Sequence, residues 1–149
     1  MNIDTRIAYK DVDGNVSVVC PTPEFINNGG TMAQFLERSL PDGVIFEELH
    51  KDDIPTDRYF RNAWRLDKGI NVDVECVQKI HLDCLRKVRN EKLAELDIPF
   101  QRALEDKDTV MQDNIAAKKN ALRDMPQNVD MSLLDTPDKI KAFMPDVLV

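Results

Sequence analysis

Apolar positions recur with two different periods along this chain, and the change of period divides it. Between Arg6 and Cys20, Ile7 and Tyr9 stand on one side of Asp13-Gly14 and Val16, Val18 and Val19 on the other, with polar residues between. That alternation predicts a β-hairpin. Asp-Gly tolerates positive φ, so a type I′ turn is expected at its tip. Pro21, Pro23 and Asn27-Asn28-Gly29-Gly30 interrupt regular structure. Thr31 followed by Gln34 spells a capping box for a short helix through Phe35, Leu36 and Leu40, which stops before Pro41. After Asp42-Gly43, the imperfect alternation of Val44, Phe46 and Leu49 predicts a third strand, and the acidic stretch from Lys51 to Asp57 reads as a loop.

The period lengthens beyond residue 57. Tyr59, Phe60 and the single Trp64 concentrate aromatic area in a segment expected to knot the two halves together. Ile70 and Val72 predict a short strand after Lys68-Gly69, and Asp73 is placed to cap the helix that follows. From Val74 to Glu105 a helical period holds, with one stripe at Val77, Ile80, Cys84 and Val88 and another at Leu82, Leu85, Leu93, Leu96, Phe100 and Leu104. Pro99 is expected to kink this helix or divide it after Asp97. Thr109 with Gln112 spells a second capping box, opening a helix to about Asp124 whose apolar edge is Met111, Ile115, Leu122 and Met125. The short connection at Lys107-Asp108 makes the pair an antiparallel hairpin, and Pro126 is expected to end it. Thr136-Pro137 starts a short helix through Ile140 and Phe143 that Pro145 terminates. The expected class is therefore α+β: an N-terminal β-hairpin with a short helix and a third strand, then a long helical hairpin and a short C-terminal helix. The expected parts are residues 1–56 and 57–149.

Charge changes the picture by exclusion. The 149 residues carry 20 basic and 27 acidic side chains, a formal charge of -7, which disfavours attraction to phosphate backbones or anionic lipid. No apolar run is long enough for a membrane span, and the first residues lack the basic and apolar succession of a secretion signal. A protein of the cytoplasm, with no direct nucleic-acid or membrane partner, is expected. Cys20, Cys76 and Cys84 form no CxxC pair, and their odd number suits reduced thiols.

Candidate chemistry is thin. His81 and Cys84 stand three apart on a helix, as metal ligands can, but no second His/Cys cluster completes a zinc set. His50 beside Glu47, Glu48, Asp52 and Asp53 is ligand-rich on paper, yet acidic loops are most often simply solvated. Asp11-Val12-Asp13-Gly14 opens like a calcium loop, but its glycine comes too early and Thr22 occupies the twelfth position. Gly29-Gly30-Thr31 lacks the lysine of a phosphate loop. Neither histidine stands in a nucleophile motif, so no enzyme activity, cofactor or metal is expected. Arg86, Lys87, Arg89 and Lys92 alternate with Asp83, Glu91 and Glu95 at helical spacing, which reads as surface ion pairing rather than an RNA-binding helix.

Residues 57–126 carry an ordered set of motifs: DRYFRNAW, a linker with VDV, IHLDCLRKVRNEKLAELD, a polar turn, and IAAKKNALRDMP. The arginine-rich helix reads R-x-x-R-N/D-x-x-L-x-x-L/S-D through Arg86, Arg89, Asn90, Leu93 and Asp97, and the second helix ends ALRD-[IM]-P from Ala121 to Pro126. This order resembles the tail assembly chaperones and tail-fibre assembly proteins of tailed bacteriophages, and TPDKIKAFMPDVL is similar to their short terminal helix. The chain departs in having Ile98 where a tryptophan often follows the aspartate, and Met144 where one often precedes the proline. The resemblance implies a non-enzymatic phage protein, in the bacterial host cytoplasm during assembly, that binds a tail or tail-fibre polypeptide and helps it fold or assemble. It leaves open a minor tail or baseplate component of the virion, or a small acidic inhibitor of a host nucleic-acid-binding protein. Arg86, Arg89 and Arg123 are expected to pair with Asp97, Asp124 or neighbouring carboxylates across the hairpin, or to contact the partner. Leu93, Leu96 and Phe100, beside the Pro99 kink, are the expected apolar edge for a client, for the N-terminal half or for another copy of this chain.

Overall fold

In a computed structural model that describes residues 1–149, the centre of the N-terminal unit is strand β1 (Thr5–Lys10). β1 pairs antiparallel with β2 (Val16–Val19), matching Ile7 to Val19 and Lys10 to Val16. The turn between them is not type I′, which needs positive φ at both central residues. Only Gly14 has positive φ there, at 81°, and its N–H donates to the Asp11 carbonyl at 3.0 Å. The Asp11 carboxylate decides this geometry by accepting from the N–H groups of Asp13 (3.0 Å) and Asn15 (2.8 Å). Asp11 thus supplies an acceptor that a two-residue turn does not need.

Two short helices follow. α1 (Pro23–Asn27), not anticipated from its proline- and asparagine-rich sequence, begins with Pro23 at its first position and is capped by Thr22. α2 (Met32–Ser39) has the expected capping box, Thr31 accepting from Gln34 N–H while Gln34 accepts from Thr31 N–H. β3 (Phe46–His50) is the expected third strand and lies on the other side of β1, giving the order β2-β1-β3. The acidic loop after it contains a 3-10 turn at Lys51–Asp53, where the His50 and Asp53 side chains satisfy backbone donors. Trp64 to Leu66 form an unanticipated strand, β4, paired with β5 (Ile70–Val72).

Ile7 and Ala8 are neighbours on β1 and both buried, so both faces of this central strand are covered, and the Ala8 face carries the core cluster. Ala8 and Val16 pack with Ile54, Trp64 and Leu66, flanked by Val18, Leu49, Ile70 and Val72. The chain divides into residues 1–76 and 77–149, so the boundary falls in the first turn of α3 rather than at residue 56. Trp64, expected to join two halves, instead helps close the interior of the first unit.

The second unit is helical. α3 (Val74–Glu95) starts where the Asp73 carboxylate accepts from Cys76 N–H, as expected. It gives way at Leu96 to α4 (Asp97–Glu105), one residue before the expected division. Pro99 has no N–H to offer the turn before it. Leu96 stays in the right-handed region (φ -82°, ψ -10°), and its N–H is shared between the carbonyls of Lys92 and Leu93. The chain therefore bends and does not break.

α4 ends with Lys107 at φ 56°, its N–H donating to Leu104 and that of Asp108 to Ala103. These are the paired bonds of a Schellman motif, with lysine where glycine is usual. α5 (Thr109–Asn128) is capped by Asp108, whose carboxylate accepts from Met111 N–H, and not by the expected Thr109–Gln112 box. Gln112 donates across the turn to the Ala103 carbonyl instead. α5 also runs through Pro126, because a proline in the last turn costs only one helical bond, and Val129 N–H closes the end on Met125. α6 (Pro137–Ala142) is capped by Thr136 as expected.

Candidate partner-binding surface on the helical hairpin

The pairing of α4 with α5 is read from two contacts. Lys119 Nζ meets Asp97 Oδ1 at 2.6 Å, and Gln112 meets the Ala103 carbonyl at 3.0 Å, so the helices run antiparallel. Lys119 is buried and its ammonium sits 4.9 Å from the centre of the Phe100 ring. The Asp97 carboxylate stays exposed to water, which spares the pair the cost of burying both charges. Ala103 on α4 and Ile115, Leu122 and Met125 on α5 are buried apolar residues, and Leu122 and Met125 lie past the end of the α4 pairing, beyond Lys119.

Past α5 the chain returns along the first half of α3. Gln78 donates to the carbonyls of Met131 (3.0 Å) and Leu134 (3.2 Å). His81 Nε2 lies 2.8 Å from the Phe143 carbonyl, which can only accept, so that nitrogen carries the proton. His81 is buried and ties the C-terminal segment to α3, the role of a core histidine rather than a ligand. No group of His, Cys, Asp or Glu side chains has the closeness a metal ion needs. His50 Nδ1 lies 3.1 Å from the Asp52 carboxylate at the exposed start of the 3-10 turn. No helix is long and apolar enough to cross a membrane.

The arginines expected to bridge the hairpin do not. Arg86 pairs with Asp83 on its own helix at 2.7 Å, Arg89 donates to Asn90, and Arg123 donates to Asn120. A neighbour on the same helix turn is within reach of a guanidinium without ordering a second element. The cross-hairpin cation is Lys119, which its surface-like sequence context KKNALRD concealed. The only available signal was its helical register with the apolar stripe, four residues after Ile115.

Leu93, Leu96 and Phe100 are half-buried, and Phe100 N–H donates to the Leu96 carbonyl, which puts those two on one face. Leu96 lines a groove of about 400 Å³ with Lys92, Lys118, Leu122, Val147 and Val149. Phe100 is turned toward Lys119. The larger apolar exposure lies further along. Ile98 is 63% exposed, Leu104 50%, Val110 70% and Met111 49%, all on α4 or the first turn of α5. Sequence reasoning placed Leu104 and Met111 in the hairpin seam, but that seam is carried at this end by Ala103 and Gln112.

No known protein family, curated protein or solved structure matches the chain.

Proposed function

We propose that this chain is a non-enzymatic phage protein that binds a tail or tail-fibre polypeptide and assists its folding or assembly in the host cytoplasm. The observation that carries the binding half of this reading is the exposure of Leu104, Val110 and Met111 around the α4–α5 turn, with Ile98 also exposed at the start of α4. Large apolar side chains left in water beside charged ones are typical of interaction surfaces. Glu105, Asp106, Lys107 and Asp108 supply the charged rim. Met111, with a flexible and polarisable thioether, can adapt to varied client segments without fixed polar geometry. The identity of the client rests on the ordered motifs of residues 57–126, from DRYFRNAW to ALRDMP.

The bend at Leu96 gives this surface its place in the reading. It separates α4 from the axis of α3, and the groove beside Leu96 and Leu122 offers an apolar floor flanked by Lys92, Glu95 and Lys118. A transiently exposed client segment covers its apolar residues there, which lowers its tendency to aggregate before it finds its own partners. The test is mass spectrometry of two samples from phage-producing cells. A tail or tail-fibre polypeptide should copurify with the tagged chain from lysate, and the chain should be absent from finished particles. Stoichiometric presence in the particle would replace the assembly role with a structural one, and purification free of any tail polypeptide would refute the reading.

A further inference from the structure

The sheet of the first unit ends on one side at β3, and the register settles which of its backbone groups face outward. Lys51 N–H donates to the Asp4 carbonyl at 2.9 Å, in series with the pairs Arg6–Leu49 and Ala8–Glu47. Hydrogen-bonded pairs alternate in an antiparallel ladder, so Glu47, Leu49 and Lys51 turn their backbone groups to β1, while Phe46, Glu48 and His50 turn theirs away. The His50 N–H is taken by Asp53 Oδ2 at 3.0 Å. The N–H and C=O groups of Phe46 and Glu48 remain on an edge with no further strand beside it. The opposite edge is different, since β2 lies against β4 and runs into Pro21.

Two further features give this edge a direction of preference. Ile45 is 81% exposed and Phe46 42%, so large apolar side chains flank the open backbone groups. The segment from Asp42 to Asp53 carries Asp42, Glu47, Glu48, Asp52 and Asp53 against one lysine, Lys51, which is already held by Asp4 at 2.9 Å; Glu47 is taken by the Gly69 N–H at 2.6 Å and Asp53 by that of His50, which leaves Glu48 as the free carboxylate within the strand. A second copy pairing antiparallel on the same edge about Glu48 would set that carboxylate directly against its own counterpart, and like charges directly opposite one another destabilise a ladder. An extended basic segment meets the reverse situation.

We propose that the outer edge of β3 receives an extended, lysine- or arginine-bearing segment of a partner protein as an additional strand. Phe46 and Glu48 exchange backbone hydrogen bonds with it, Ile45 covers its apolar side chains on one face, and on the other face the Phe46 ring and the Glu48 carboxylate meet the stems and charged heads of its cations. This stands on the first unit alone and goes beyond the tail-protein reading of the hairpin.

The experiment uses the full chain and two short acetylated, fluorescently labelled peptides, one alternating lysine with valine and one alternating glutamate with valine. Anisotropy should show binding of the lysine peptide only, weakening as salt is raised. Amide exchange followed by NMR should show new protection at Phe46 and Glu48. Glu48→Pro removes an outward N–H and leaves the ladder to β1 intact, because that ladder uses Glu47 and Leu49, and it should lower affinity about tenfold or more. Equal binding of both peptides, protection elsewhere, or undiminished affinity in a folded Glu48→Pro protein overturns the proposal. If that variant does not fold, the exchange pattern of the unaltered chain decides alone. Protection at Phe46 and Glu48 that grows with protein concentration in the absence of peptide assigns the edge to a second copy and equally overturns it.

Discussion

Lys119→Met and Lys119→Ala should differ in stability by about 2 kcal/mol, and the structure says why. The Lys119 residue is 9% exposed while the side chain of its partner Asp97 is 69% exposed. An ion pair with one wet carboxylate is worth roughly 0.5–1 kcal/mol, and the ammonium over the Phe100 ring contributes about as much again. Methionine keeps the buried stem, leaves Asp97 in water, and abolishes the cost of holding an ammonium near apolar groups. Lys119→Met should therefore cost about 1 kcal/mol or less. Alanine removes roughly three methylenes as well, about 2.4 kcal/mol of buried stem at about 0.8 kcal/mol each. Lys119→Ala is then expected to cost about 2–4 kcal/mol. Urea denaturation followed by far-ultraviolet circular dichroism measures both. A double-mutant cycle with Asp97→Asn should return a coupling of about 1 kcal/mol or less. Equal losses for methionine and alanine would show that charge, and not the stem, holds α4 to α5; no loss for either would show that Lys119 is not packed there.

Lys107 occupies the left-handed position of a Schellman motif, so Lys107→Gly should stabilise the hairpin by about 1 kcal/mol and raise the melting temperature; a fall would contradict the assigned turn. Trp64 is buried in the core of the first unit, so iodide should barely quench its fluorescence, and Trp64→Ala should cost about 3–5 kcal/mol in the denaturation of that unit. The Lys51 ammonium, hydrogen-bonded to Asp4 at 2.9 Å, holds the Asp4 carboxyl below the usual carboxylate range. A depressed folded pKa adds stability above the unfolded value and loses it as pH falls through the folded one. Asp4→Asn should accordingly narrow its gap to the unaltered chain on acidification, and a gap that widens would refute the pairing.

The elements that could be read from sequence are those whose signal is local. Asp73 and Thr136 cap the helices they precede, and the Thr31–Gln34 box is intact, because capping needs only the next turn. The alternating valines of β2, the stripe through Leu85 on α3 and the one through Leu122 on α5 likewise follow from period alone. What escaped depends on partners distant in sequence. β4 is a strand because Trp64 and Leu66 find Ala8 and Val16, a pairing that no window around residue 64 contains. The bend at Leu96 was visible in Pro99, but its position was set by how the chain reassigns the Leu96 N–H. For the candidate surface, Leu96 and Phe100 were legible as apolar positions beside a kink. The greater exposure of Ile98 and Val110 was not, since it depends on Ala103 and Gln112 filling the seam between α4 and α5. The arginines misled because their charge fits a cross-hairpin bridge, whereas Asp83, Asn90 and Asn120 lie nearer along their own helices.

If the exposed aliphatics of α4 and α5 handle a tail polypeptide, co-expression of a phage tail-fibre polypeptide with this chain, or with the variant carrying Ile98→Ser, Leu104→Ser, Val110→Ser and Met111→Ser, separates the two proteins. These positions are exposed, so the variant should fold as the unaltered chain does. The soluble yield of assembled fibre should rise severalfold with the unaltered chain and return to its unassisted level with the folded variant. Equal fibre yield with both proteins, or none beyond the unassisted level with either, would contradict the account.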